Sequence, residues 1–258
     1  MTVFNISLSQ VQVFILIFLR VSAIIMTVPL FDSRNIPVLF KAGLSLSTSI
    51  ILFSVVRPDN IPFITKLIPF GIGMLGEIIL GVIIGLSVRL IFAGIQLAGQ
   101  LVGYQMGFGI VNVMDPQTSA QVSVIAQLKY LIAMLIFLAV NAHHWFLRAL
   151  VESFRLVPPL DFQFNNSLLE QLMGVANNMF VIAIKIGAPM VVSLLLTSVS
   201  LGLVARTVPQ INIFIVAFPL KIAVGLLFLG LSLPYLSSFL GGIFGHLGSD
   251  ILFLLRAM

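Results

Sequence analysis

The chain has 258 residues, of which 60% are hydrophobic and 8% charged, with a formal net charge of +5. A soluble domain carries about a quarter charged residues, so this much apolar surface needs lipid or other subunits as its neighbour. The chain has no cysteine, which excludes a disulfide framework and thiolate chemistry, and its 13 Lys and Arg are too dispersed to form a nucleic-acid-binding patch.

Residues 1–19 hold no Lys or Arg and so lack the basic region of a cleavable signal peptide. Ser7 and Gln10 have capping-box spacing, which predicts a retained helix opening there. Stretches long and apolar enough to span a bilayer follow at 10–31, 38–56, 67–90, 91–107, 124–147, 174–205 and 211–256, the last long enough for two passes. Breaks are expected at Pro29 and Pro37, at 57–62, at Asp115-Pro116 and at Pro158-Pro159. The polar stretch 158–167 marks the internal boundary, giving units 1–165 and 166–258. The expected fold class is all-α, a polytopic helical membrane-associated protein with kinked hairpins. Lys and Arg flank successive loops on both sides, so orientation is not specified by the positive-inside rule.

Arg20 sits in the middle of the first apolar segment. A central Arg costs about 3 kcal/mol on insertion scales, so it must face protein or water. A structural hydrogen bond or ion pair is one reading and a conduit-lining role the other. From Gly73 a stripe recurs every fourth residue: Gly73, Glu77, Gly81, Gly85, Arg89. Small residues at this spacing let helix backbones approach closely, and Glu77 on the seam needs a partner. Gly99, Gly103 and Gly107 form a second stripe beside Gln96, Gln100 and Tyr104. The stripes are expected to pack against helices, and Glu77, Arg89, Lys129 and Lys185 to meet protein groups rather than acyl chains. A single helix over 67–107 would run about 60 Å, roughly twice the hydrocarbon thickness, and must break, tilt or leave the membrane.

The segment 103–121 is unlike an ordinary span: Gly107 and Gly109 are followed by bulky apolar residues and then by Asp115-Pro116, a helix stop and restart. It reads as an apolar loop between helices, either a re-entrant turn or a lid. Pro189, Pro219 and Pro234 interrupt the later segments, as in secondary transporters, but Glu77 is the only acid deep in an apolar run. His143 and His144 are adjacent, about 100° apart on a helix, and do not face one metal easily; neither a zinc-protease nor a P-loop pattern is present.

The run from Gln105-Met-Gly-Phe-Gly to Asn112-Val-Met-Asp-Pro resembles the hallmark of the FliR family and its virulence homologues. Phe137-Leu-Ala-Val-Asn-Ala-His-His with Ser153-Phe154 and Pro158 is a second block, and Arg206-Thr-Val-Pro-Gln-Ile-Asn with Phe218-Pro-Leu-Lys-Ile-Ala-Val-Gly225 a third, in family order. The resemblance covers essentially the whole chain. It implies a non-enzymatic core subunit of the flagellar type III export gate in the bacterial inner membrane and basal body, without cofactor or metal. The implied partners are FliP and FliQ, which complete a closed pore, and FlhB at its cytoplasmic mouth; unfolded flagellar proteins are the cargo. Residues 1–165 would be FliP-like and 166–258 a FliQ-like hairpin. Met106, Gly107, Phe108, Gly109, Ile110, Val111, Val113 and Met114 would form the plug, Gly81, Gly85, Gly99 and Gly103 the packing seams, and Arg20, Glu77, Arg89 and Lys185 the buried charges.

Overall fold

A computed structural model describes residues 7–31, 36–54, 56, 63–108, 123–208, 210 and 212–258, with the side chains of 213 and 214 left aside. The fold is all-α. The described residues form helices α1 (Leu8–Thr27), α2 (Val38–Phe53), α3 (Leu67–Gln105), α4 (Val124–Ala139), α5 (Ala142–Leu156), α6 (Asn166–Thr207) and α7 (Ile213–Leu255). Helices α1, α3, α6 and α7 are each long and apolar enough to cross a membrane.

Local chemistry sets the helix ends. The Ser7 side chain accepts from the Gln10 N–H and the Gln10 side chain accepts from the Ser7 N–H, the capping box that opens α1. Pro37 precedes α2 with φ −57°, already the helical value. Asn165 accepts from the Leu168 N–H at 2.8 Å and so starts α6 eight residues before the expected 174. Helix α3 closes in a Schellman motif: Phe108 N–H donates to the Gly103 carbonyl and Gly107 N–H to that of Tyr104, both at 3.1 Å. Gly107 takes φ +94°, the left-handed cap that a Cβ would strain.

Three expected boundaries are corrected. Residues 67–90 and 91–107 are one helix of 39 residues, because no proline falls between Pro69 and Pro116 and glycine alone does not stop a packed helix. The stretch 124–147 is instead two helices bent by 69° at Val140-Asn141, where Asn141 adopts φ 57°. Asparagine is among the few residues that enter this region readily. Helix α7 runs unbroken through Pro219 and Pro234 as 43 residues rather than two passes.

Two compact units result. The first gathers 1–90, 141–175 and 245–258; the second 91–140 and 176–244. In the first, Gln12 clasps Ile64 by both backbone groups, fixing the approach to α3 against α1. In the second, Phe92 stacks on Phe244 at 5.6 Å, and Phe137 meets both rings edge-on at 5.7 and 5.2 Å. Such aromatic pairs add about 0.5–1.5 kcal/mol beyond their area and tie α3, α4 and α7 together.

The glycine seams show how close the helices come. A Cβ on Gly81 would lie 2.7 Å from both Ala23 Cβ and the Arg20 carbonyl, and one on Gly85 2.5 Å from Thr27. In the second unit, Gly99 lies against the backbone of Ala126 and Gly103 against Ser123. Backbone cannot swing aside as a side-chain tip can. Gly81→Leu is therefore expected to separate α1 from α3 and prevent recovery of folded chain, whereas Gly43→Leu, with open space around it, should be recovered at wild-type yield. Size-exclusion chromatography in detergent reads the difference, and equal yields would refute the close seam.

Candidate functional site

The first of two connected sets of residues is a buried ion-pair node in the first unit. Arg20 on α1 and Glu77 on α3 are both 0% exposed, and Arg20 Nε donates to Glu77 Oε2 at 2.5 Å. Arg20 Nη1 also donates to the carbonyls of Ser153 (3.0 Å) and Val157 (2.8 Å). These lie at the C-terminal end of α5, where a cation complements the helix dipole; the Ser153 carbonyl also accepts from the Val157 N–H at 3.0 Å. The guanidinium lies 4.3 Å from the centroid of the Phe154 ring, a cation–π contact with a residue of the same helix turn.

Glu77 has a second task. Its Oε1 accepts from the Leu160 N–H at 3.0 Å, and Leu160 holds φ 76°, unusual for a bulky residue. The Leu160 side chain enters the space that Gly73 leaves open, one turn before Glu77 on α3. The stripe from Gly73 to Gly85 is thus a composite seam: Gly73 and Glu77 hold the turn after Pro158-Pro159, and Gly81 and Gly85 hold α1. One guanidinium and one carboxylate join α1, α3, α5 and that turn. Sequence reasoning singled out Arg20 and Glu77 separately but did not pair them; it named Ser153 only within a family block, and did not connect Ser153, Val157 or Leu160 with the pair. The proline pair Pro158-Pro159 marked where α5 ends, but not which carbonyls the guanidinium meets.

The other charges differ. Arg89 and Lys185 are exposed on the chain by itself rather than buried within it, because an apolar run on a long helix has more than one face. Lys185 lies 5.8 Å from the Phe239 ring. Lys129 on α4 is buried, and its Nζ has no hydrogen-bond partner among the described residues.

The second set is the root of the 106–114 loop. Residues 109–114 lie outside the described residues. Met106 is fully buried with Val102, Ile125, Met190, Leu194 and Leu229, and Phe108 packs against this cluster. Met106 reaches this position because Gly225 on α7 has no Cβ; one there would lie 2.6 Å from the Met106 sulfur. Gly107 abuts the Phe218 ring. Met106 and Phe108 are thus held in the chain's own core just beyond α3. Gly225 was part of the third sequence block, but nothing in its spacing pointed to Met106.

Among the described residues no group of three or more His, Asp or Glu side chains converges. What the described residues offer is a helical scaffold locked by a buried ion pair, with an anchored glycine turn at the end of α3. The sequence matches the family described as bacterial export proteins, family 1, over residues 11–247. It is 40% identical over 220 residues to the flagellar biosynthetic protein FliR of Bacillus subtilis (strain 168), covering 84% of each chain. Identity to the proteins of the same name is 31% in Pectobacterium carotovorum subsp. carotovorum and 28% in Escherichia coli (strain K12), covering 89% of this chain and 87% of each relative. The chain belongs to the bacterial export proteins, family 1, the family of the flagellar biosynthetic protein FliR.

Proposed function

We propose that the chain is a core subunit of the flagellar type III export gate in the bacterial inner membrane, completing with FliP and FliQ a closed pore for unfolded flagellar proteins, with FlhB at its cytoplasmic mouth. One observation carries the reading. Helices α3, α6 and α7 have 39, 42 and 43 residues, which is about 58–65 Å each at 1.5 Å per residue. That is roughly twice the 30 Å of bilayer hydrocarbon. Yet α7 has a mean hydropathy of 2.1 over an apolar window of which this chain buries only 11%. Lipid can cover only about half of such a helix, and apolar faces of other subunits are the remaining cover.

On this reading the division at 165/166 is one of likeness, 1–165 to FliP and 166–258 to FliQ, and not one of packing. The loop 109–114, rooted by Met106, Gly107 and Phe108, is the resting plug. Apolar constrictions of this kind exclude ions by dewetting and still yield to a polypeptide. The turn 206–210 between α6 and α7 faces FlhB.

The test is purification behaviour. The chain expressed alone is expected to aggregate in mild detergent, and to be monodisperse when co-expressed with the FliP and FliQ of its own operon. A stable, monodisperse chain without partners would instead point to a transporter acting alone and overturn the proposal.

A further inference from the structure

A cleft of about 390 Å³ opens in the first unit between α5 and the end of α7, away from the ion-pair node. It is lined by Arg148, Arg155 and Arg256 together with Trp145, Glu152 and Leu156. Three guanidiniums face one carboxylate, a local excess of two positive charges in a chain with only 13 Lys and Arg. Glu152 does not neutralise them: its ion pair among the described residues, to Arg155, is 3.5 Å long and largely exposed. Such a pair is worth little and yields readily to a competing anion. Arg148 lies 5.8 Å from the Trp145 ring, and the Trp145 side chain packs over Gly248 of α7, so the wall carrying this arginine is braced.

Apolar side chains stand at the cleft and beside it in the sequence. Leu156 is 38% exposed, and Leu147 and Phe253, the neighbours in sequence of Arg148 and the lining Leu252, are 49% and 66% exposed. Cations beside a tryptophan and an exposed leucine are what a polar–apolar boundary selects. Guanidinium groups match phosphate oxygens in a bidentate fork, and basic pockets between membrane helices take lipid headgroups. The volume falls in the roughly 300–1,000 Å³ range of small-ligand sites.

We propose that this cleft binds the phosphate headgroup of an anionic phospholipid, with the acyl chains running out past Trp145 and Leu156. A free inorganic anion would gain nothing from these two side chains, and an acidic protein segment would not need them.

The experiment uses the full chain with the subunits that co-purify with it, delipidated in detergent and then exposed to vesicles of equal phosphatidylglycerol and phosphatidylcholine. Lipid retained after washing is extracted and quantified. Wild type should enrich phosphatidylglycerol, and each of Arg148→Gln, Arg155→Gln and Arg256→Gln should cut the enrichment by about fivefold. Glu152→Gln, which removes the opposing charge, should raise it, and this gain survives even if an arginine variant fails to fold. Unchanged enrichment in the folded arginine variants, or none in wild type, would overturn the proposal. So would displacement of the lipid by excess inorganic phosphate, which would mark a free-anion site. Photo-crosslinks from position 148 that capture only protein would assign the cleft to an acidic partner segment and equally refute the lipid.

Discussion

Glu77→Ala is expected to lower the melting midpoint of the detergent-solubilised complex by about 6 °C or more. Removing one member of a buried ion pair costs about 3–5 kcal/mol, because the surviving charge is left in a medium that cannot solvate it. Here the loss is compounded: the Leu160 N–H loses its acceptor, and the strained turn at Leu160 loses its clamp. Glu77→Gln keeps an oxygen for that N–H but not the charge, so it should fall between wild type and alanine. The double replacement Arg20→Met with Glu77→Leu should recover part of the loss, since no uncompensated charge remains. Differential scanning fluorimetry orders the four proteins. A Glu77→Ala midpoint within 2 °C of wild type, on an effect scaled as above, would show that the pair is not what holds α1, α3 and α5 together.

Replacing Ile110 and Val113 together with glycine should make the assembled gate leak small solutes without reducing its yield, if 109–114 is the seal. The root of the loop makes this a sharper test than deleting 106–114. Met106 is buried in the core of the second unit and Gly107 caps α3, so a deletion starting at 106 would remove structure along with the plug. Met106→Ala supplies the contrast: a large-to-small core change costs about 2–5 kcal/mol and should reduce assembly rather than open a leak. Uptake of a small fluorescent solute by cells carrying each assembled variant separates the two outcomes. A glycine double variant as tight as wild type would move the seal to another element.

Much of this protein was legible in one dimension because lipid-like surroundings punish polar groups. The apolar runs declared an all-α membrane protein, the Ser7–Gln10 box declared its first helix, and Arg20 and Glu77 stood out because each is costly where it lies. The glycine seams were visible for a related reason: without a hydrophobic drive between helices, close contact needs small residues at fixed spacing. Helix ends were less legible. Glycine, proline and asparagine act through local backbone preferences of about 1–3 kcal/mol, which packing overrides at Pro219 and Pro234 and uses at Asn141 and Gly107.

Partnership across the chain was decided only by tertiary structure. Nothing in the spacing of Arg20 and Glu77 sets them 2.5 Å apart across 57 positions, or brings the carbonyls of Ser153 and Val157 to the same guanidinium. The same holds for Met106 in the gap left by Gly225, and for Arg148, Arg155 and Arg256 around one cleft. A sequence states what each residue needs in order to be stable where it is. Which distant residue meets the need depends on helix crossings that bring separate stretches of chain together. That choice is written in three dimensions because hydrogen bonds and ion pairs act over a few ångströms, whatever the distance along the chain.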